Sequence, residues 1–159
     1  MKKNLLALPK LVKVSISTGV GKFKDKKQLD LIADRLSRIT GQKAAPRGAK
    51  KSIAGFKVRQ GDTIGLAVTL RGKRMSGFLD KLLNVVIPQL RDFRGLEEKS
   101  VDEMGNLTLG IREHAVFPET ADEELKNIFG LAITIVTTAK NRDEALPFFK
   151  SLGFPFRSS

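Results

Sequence analysis

Four segments of this chain alternate apolar and polar residues, which is the pattern of a β-strand with one buried face. They are "LVKVSIS" (11–17), "IGLAVTLR" (64–71), "LTLGIR" (107–112) and "LAITIVTTA" (131–139). Successive side chains of a strand point to opposite sides, so the apolar residues of each segment define its buried face. Strands of this kind must pair into a sheet and cover that face.

Three segments between or after the strands have helical periodicity and can provide that cover. The first helix is predicted over 25–40 and should end at Gly41 in the left-handed conformation, and the second over about 73–90, where Pro88 should bend or end it. The last is predicted over about 142–152, capped by Asn141 with Glu144 three residues on. The apolar stripes are Leu29, Ile32, Ala33, Leu36 and Ile39 in the first helix, and Met75, Phe78, Leu79, Leu82 and Val86 in the second. We expect these stripes to pack against the sheet.

The order of the elements predicts an α+β fold with a single, mostly antiparallel sheet, helices packed on one face and a long basic loop. The 159 residues fit one domain, 1–159. We expect the loop over 44–62 and an inserted turn-rich segment over 91–106. A short extended piece, "AVFPE", and a helical turn or two in "ADEELKNI" should precede the last strand.

The charge of the chain is high and unevenly distributed. The formal net charge is +12, and residues 1–79 hold 19 Lys and Arg against 4 Asp and Glu. Residues 80–159 hold 10 against 13. A protein this basic attracts polyanions, so we expect a phosphate-rich partner that meets mainly the first half.

The segment 43–59 concentrates this charge and contains no acidic residue. Its cations are Lys43, Arg47, Lys50, Lys51, Lys57 and Arg59. A loop of this length is uncommon in a compact domain unless it has a function, and Phe56 has no evident core to join. We interpret the loop as a nucleic-acid contact; the alternative is a solvated loop.

The polar faces of the predicted strands carry mostly small hydroxyls with a few cations. They are Ser15, Ser17, Thr69, Arg71, Thr108, Arg112 and Thr134. Such a face is often simply solvated. The functional alternative is that a sugar-phosphate backbone lies across it, because short donors reach phosphates or 2'-hydroxyls without obstructing approach.

The sequence offers little material for catalysis. It has no cysteine and one histidine, His114, without an obvious partner. The "GVGK" at 19–22 lacks the length and ending of a P-loop and favours a tight turn. We therefore expect no enzyme activity, catalytic residue, metal or cofactor. No segment reaches signal-peptide or membrane-spanning length, so we expect a cytoplasmic protein that does not bind membranes.

Five segments, in order and within residues 9–157, resemble the family of the fifth protein of the bacterial large ribosomal subunit, which binds 5S rRNA. They are "TGQK" (40–43), "KKSIAGFKVRQGD" (50–62), "VTLRGKRM" (68–75), "IPQLRDFRGL" (87–96) and "FPFR" (154–157). Several long motifs in register are far more specific than a lone glycine pattern.

The resemblance implies a structural protein of the central protuberance, beside other large-subunit proteins, that binds 5S rRNA and helps attach it to 23S rRNA. The residues implied for 5S rRNA are Ser17, Thr18, Gly19, Lys22, Gln42, Lys43, Thr69, Arg71 and Arg94. The long loop would contact P-site tRNA through Lys50, Lys51, Ser52, Phe56, Lys57 and Arg59. The region around 105–120 would face the small-subunit head, where a basic protein forms an intersubunit bridge.

Two features differ from the usual family pattern. Family members usually begin with an additional N-terminal helix, whereas this chain starts almost at its first strand, so it resembles a shortened member. The family also commonly has Asn-Met-Gly where this chain has Ser17, Thr18 and Gly19. A serine reaches less far than an asparagine and offers one hydroxyl in place of an amide.

Two other classes of function remain as alternatives on the residues alone. An RNA-processing or RNA-modifying enzyme would need carboxylates or a metal beside the basic face. A peripheral protein on anionic membranes would need a basic amphipathic helix with a wide apolar face, which the sequence lacks.

Overall fold

The computed structural model describes residues 8–20, 26–48, 63–90, 93, 95–118 and 129–157. Within them, one antiparallel sheet has the strand order β2-β3-β1-β5-β4. Its strands are β1 (Leu11–Gly19), β2 (Ala45–Gly48), β3 (Thr63–Leu70), β4 (Leu107–Ile111) and β5 (Leu131–Thr137). The helices are α1 (Lys26–Thr40), α2 (Gly72–Lys81), the short α3 (Ile87–Gln89) and α4 (Arg142–Leu152). This architecture confirms the predicted α+β class.

The chain divides into two compact units. Unit 1 comprises Met1–Val14, Arg71–Leu109 and Ile133–Ser159, and unit 2 comprises Ser15–Leu70 and Gly110–Ala132. The single domain expected over 1–159 remains a prediction.

The four predicted strands alternate in burial as their sequences indicate. The apolar positions from Val14, Leu66, Leu107 and Leu131 onward in β1, β3, β4 and β5 are buried, and the intervening residues are exposed or half-buried. Two residues expected on the buried face differ: Val12 is 41% exposed and Ile64 is 38% exposed. Each is the second residue of its strand, and strand ends are covered less fully than strand centres.

Strand β2 corrects part of the predicted loop 44–62. Residues Ala45–Gly48 pair antiparallel with β3, with Pro46 opposite Leu66 and an irregularity between Arg47 and Gly48. All four residues are exposed. Because none of them faces the core, the segment lacks the alternation of apolar and polar residues that indicates a strand in a sequence. An edge strand tolerates proline because the missing N–H can face solvent. The rest of the predicted loop, from residue 49 to 62, lies outside the described residues.

The second predicted helix is confirmed, and its stripe of five apolar residues is buried. Its geometry changes before Pro88: α2 passes into a π-helical turn over Leu82–Val86 and then into α3. A proline ring conflicts with the carbonyl four residues earlier and lacks an N–H. The π-helical turn before Pro88 is wider than an α-helical turn, and the helix ends at Gln89, one residue after the proline. Both features accommodate the proline ring and its missing N–H.

Helix α4 begins as its sequence indicates. The Asn141 Oδ1 accepts a hydrogen bond from the Glu144 N–H at 2.9 Å, and the Glu144 Oε2 accepts from the Lys140 N–H at 3.0 Å. These contacts resemble a capping box displaced by one residue. Pro147 lies inside the helix, where it lacks an N–H for an internal bond.

The expected extended piece "AVFPE" is wrong at its first residues. His114–Val116 form a 3₁₀ turn, closed by the Phe117 N–H donating to the His114 carbonyl at 3.1 Å. The turn begins three residues after the end of β4 at Ile111, where the chain leaves the sheet. The helical turn expected in "ADEELKNI" (121–128) lies outside the described residues.

Part of the turn-rich segment 91–106 is fixed by the C-terminal residues, within unit 1. The Leu96 N–H donates to the Pro155 carbonyl at 2.7 Å, and the Arg157 N–H donates to the Leu96 carbonyl at 2.9 Å. The Arg157 side chain also pairs with Glu97, whose other carboxylate oxygen lies 2.8 Å from the Lys99 Nζ. The hydrogen bond from Lys99, with the charges of Arg157 and Lys99, holds the pKa of Glu97 below its usual range.

Candidate nucleic-acid interface

The outward side of the sheet in unit 2 is built almost entirely from small residues. We call it the outer face of unit 2; it consists of Ser15, Ser17, Ala45, Arg47, Gly65, Ala67, Thr69, Gly110 and Ala132, all exposed or half-buried. Apart from Arg47, which lies opposite Gly65, none of these side chains is longer than that of threonine. A partner can therefore come close to the strand backbones.

The end of β1 presents Ser17 and Gly19 to solvent but turns Thr18 inward. Thr18 is 5% exposed, and its hydroxyl donates to the Gly130 carbonyl at 2.6 Å. The strand end is held on its other side by Val20, whose N–H donates to the Ile64 carbonyl at 2.8 Å. Of the three neighbouring residues predicted here, Thr18 thus has a positioning role in this fold.

The end of α1 brings two predicted residues together. Gly41 has φ +74° and closes the helix in the left-handed conformation that the sequence indicates. The Gln42 Nε2 then donates to the Thr69 carbonyl at 3.1 Å, across 27 positions of sequence. Lys43, the next residue, is exposed. Gln42, Lys43 and Thr69 therefore form one cluster on unit 2.

Arg71 belongs to unit 1, where it is the residue that precedes α2. It is exposed, with extended backbone (φ −138°, ψ 160°), and its side chain does not cap the helix. Lys73 and Arg74 are also exposed, so three cations lie within four residues. The alternation in the sequence predicts a strand that includes Arg71, whereas β3 ends at Leu70.

The remaining predicted positions lie outside the described residues. They are Lys22 and Arg94 for 5S rRNA, and Lys50, Lys51, Ser52, Phe56, Lys57 and Arg59 for tRNA.

An open cavity of ≈430 Å³ lies in unit 2 at the ends of β1, β4 and β5. Ser17 and Gly19 line it together with Gly110, Arg112 and Gly130. The residues that the family resemblance implies for 5S rRNA do not include the last three, although Arg112 is one of the polar strand residues for which the sequence suggests a sugar-phosphate contact. The sequence does carry a signal for one of them, since a glycine inside a strand often marks a close approach of another backbone or a ligand.

The described residues give no indication of catalysis. His114 is 2% exposed; its ring stacks on Phe129 at 4.1 Å, and its Nδ1 accepts the Phe129 N–H at 3.3 Å. The Arg35 Nη1 lies 3.4 Å from the His114 Nε2, so this histidine is part of the core. Within the described ranges, no group of three His, Asp or Glu could hold a metal. The helices in those ranges are all too short or too polar to cross a membrane.

The net charge of +12, the single sheet with its helices and the small outward residues are typical of one class, that of basic α+β proteins that bind a polyanion. Comparison with known proteins narrows the class. The family model described as ribosomal protein L5 matches residues 4–59, and the one described as the C-terminus of the ribosomal L5P family matches residues 63–156. The chain belongs to the ribosomal protein L5 family.

Curated relatives agree over nearly the full chain. Large ribosomal subunit protein uL5 of Synechococcus sp. (strain RCC307) is 48% identical over 98% of this chain and 88% of its own length. The protein of the same name from Prochlorococcus marinus (strain MIT 9211) is 47% identical over the same shares. The one from Halothermothrix orenii is 47% identical over 97% of this chain and 87% of its own length.

Family membership confirms several of the predictions. The chain is a structural constituent of the large ribosomal subunit, associated with rRNA and other ribosomal proteins, and not an enzyme. It also confirms the predicted location, in the ribosomes of the cytoplasm.

Proposed function

We propose that this chain binds 5S rRNA on the outer face of unit 2 and helps attach it to 23S rRNA in the central protuberance. The observation that chiefly supports this is the set of small outward residues, which leaves the strand backbones open to a sugar-phosphate chain. Ser17, Gly19 and the cluster of Gln42, Lys43 and Thr69 make the contacts, and Thr18 positions the end of β1. Lys22, Arg71 and Arg94 add positive charge.

The proposal extends to two further contacts. The basic loop reaches P-site tRNA through Lys50, Lys51, Ser52, Phe56, Lys57 and Arg59, supported by the lack of acidic residues over 43–59. The region around 105–120 meets a basic protein of the small-subunit head across an intersubunit bridge. Glu113, an exposed carboxylate there, suits a basic partner.

The affinity of the purified protein for its own 5S rRNA tests the main proposal. We would compare it with a length-matched tRNA and a scrambled RNA at several salt concentrations. Phosphate contacts give all three a common loss of affinity as salt rises. A preference for 5S rRNA of about tenfold or more, about 1.4 kcal/mol, that persists at high salt supports shape-selective binding. Equal affinities that fall together would contradict it.

Replacing Arg71 by alanine should weaken binding of 5S rRNA about tenfold, because a hydrogen bond to a charged group contributes about 1.5 kcal/mol or more. The slope of log affinity against log salt should also fall by about 0.7–0.9, the value for one phosphate contact. Lys140→Ala, which removes another exposed cation from unit 1, is the control. An Arg71→Ala protein with normal melting and unchanged affinity would remove Arg71 from the site.

Lys50→Gln, Lys51→Gln and Lys57→Gln together neutralise three cations of the loop. We expect the affinity of this variant for 5S rRNA to stay within about twofold of the wild-type value, a smaller change than the loss of one phosphate contact would cause. The same variant should bind P-site tRNA less firmly in reconstituted ribosomes, because three phosphate partners are gone. Chemical footprinting of the tRNA measures this. A large loss of 5S rRNA affinity would instead assign the loop to 5S rRNA.

A further inference from the structure

Two glycines on unit 2 are not required by any contact or backbone conformation among the described residues. Gly19 and Gly110 have no φ in the left-handed region, and a Cβ added to either meets no atom of the described residues within 4 Å. Gly65 and Gly130 differ, since their added Cβ would lie 3.3 Å from the Thr18 carbonyl oxygen and 3.1 Å from that of Ile111. Glycine weakens a strand, and no described residue requires it at 19 or 110, which leaves the close approach of a ligand as a reason for its presence there.

Both of these glycines line the same open cavity of ≈430 Å³, together with Ser17 and Arg112. Ser17 and Arg112 are exposed. Among the described residues, neither the Ser17 hydroxyl nor the Arg112 guanidinium has a hydrogen-bonding or ion-pair partner. The cavity thus combines main chain that no side chain covers, at the two glycines, with two side chains that can donate hydrogen bonds to a ligand.

The residues that line the cavity indicate which kind of ligand it can bind. None of the residues that line the cavity is aromatic, so it offers no platform for a stacked base. None is a carboxylate, so it does not suit a metal ion or a basic peptide. A guanidinium matches a phosphate, and a serine hydroxyl can bond to a ribose 2'-hydroxyl.

We propose that this cavity receives one ribose-phosphate segment of 5S rRNA. Arg112 holds the phosphate, Ser17 contacts the ribose, and the RNA strand lies against the backbone at Gly19 and Gly110. The inference rests on the proposed binding of 5S rRNA, and it assigns a contact to the part of the outer face formed by β4 and β5, for which the proposed function names no contact residue. It adds Gly110 and Arg112 to the residues proposed to contact 5S rRNA.

Gly110→Val tests the requirement for bare backbone. A β-branched residue suits a strand and meets no described atom, so the melting temperature should be unchanged or raised. The side chain would nevertheless fill the cavity, and we expect the affinity for 5S rRNA to fall at least tenfold. Gly77→Ala is the matched control, because Gly77 also faces open space but lies on α2 and is not one of the residues that line the cavity. Wild-type affinity in a normally melting Gly110→Val protein would overturn the proposal.

Arg112→Ala provides a second test that does not depend on the strand, because Arg112 is exposed and follows β4. We expect affinity for 5S rRNA to fall about tenfold, with a salt slope smaller by about 0.7–0.9. Arg112→Lys keeps the charge but lacks the planar guanidinium. We therefore expect this variant to have the wild-type salt slope but an affinity for 5S rRNA between those of Arg112→Ala and the wild type. Unchanged affinity and slope in Arg112→Ala would overturn the proposal.

The failure of this proposal can be distinguished from the failure of the proposed function. If the wild-type protein does not prefer 5S rRNA over the scrambled RNA, the function itself is wrong. If the wild type shows that preference while the Gly110→Val and Arg112→Ala variants keep it in full, only the cavity assignment is wrong.

Discussion

The His114→Ala variant is expected to lose about 3–5 kcal/mol of unfolding free energy, the usual range when a large buried ring is truncated. His114 is 2% exposed and stacks on Phe129 with the ring planes 5° apart. Its Nδ1 is the acceptor for the Phe129 N–H, and the Arg35 guanidinium approaches its Nε2. Truncation removes the packed ring and an acceptor for a buried donor in one step.

His114→Phe separates these two contributions. Phenylalanine keeps a ring that can stack on Phe129 but has no nitrogen to accept from the Phe129 N–H or to face Arg35. Leaving a buried donor without its acceptor costs about 1–3 kcal/mol, so we expect this variant to lie between the wild type and His114→Ala. Urea unfolding followed by circular dichroism measures all three. Equal stability of His114→Phe and the wild type would show that the ring nitrogens contribute nothing.

The same substitution should also affect the surface that we propose for 5S rRNA. Phe129 precedes Gly130, whose carbonyl accepts from Thr18 at the end of β1. Displacement of Phe129 would therefore loosen the segment that positions Ser17 and Gly19. We expect His114→Ala to weaken binding of 5S rRNA even at temperatures at which the protein remains folded.

Gly95→Ala is the second substitution for which we expect a large loss of unfolding free energy, about 2–6 kcal/mol. Gly95 has φ +107°, a conformation that costs a residue with a side chain about 1–3 kcal/mol. Its added Cβ would also lie 2.7 Å from the Arg157 backbone nitrogen and 2.9 Å from the Arg157 Cα. The obstacle is main chain, so it cannot be relieved by a side-chain rotation, and overpacking adds about 1–3 kcal/mol.

The control for Gly95→Ala is Gly77→Ala. Gly77 lies in α2 and faces open space, so alanine there should stabilise the protein by about 0.5–1 kcal/mol through helix propensity. Thermal unfolding of the two variants under one set of conditions gives the comparison. If Gly95→Ala were as stable as the wild type, the contact between residue 95 and the C-terminal segment would not contribute to folding.

Gly95 lies at the contact between two of the motifs on which the family resemblance rests. "IPQLRDFRGL" and "FPFR" are far apart in sequence, and the structure joins them through the hydrogen bonds of Leu96 with Pro155 and Arg157. The residue before Gly95 is Arg94, one of the residues proposed for 5S rRNA. We therefore expect Gly95→Ala to weaken 5S rRNA binding as well as folding.

The sequence alone determined the elements whose physical signals are local. Alternation assigned the buried faces of β1, β3, β4 and β5, and a period of 3.6 assigned the stripe of the helical segment 72–89. Asn141 and Gly41 were identified as helix-end residues, because caps depend on neighbours within a few positions. The net charge of +12 and the family motifs also needed no structure.

Only the tertiary structure decided which distant residues meet. The structure paired the exposed strand β2 with β3. The sequence of β2 does not alternate between apolar and polar residues, because this edge strand has no buried face. The structure also joined Gln42 to Thr69, placed Arg35 against His114 across 79 positions, and gathered Ser17, Gly110 and Arg112 around one cavity. Periodicity indicates which way a side chain points, but strand order and register choose its neighbours, and those depend on the packing of the whole chain.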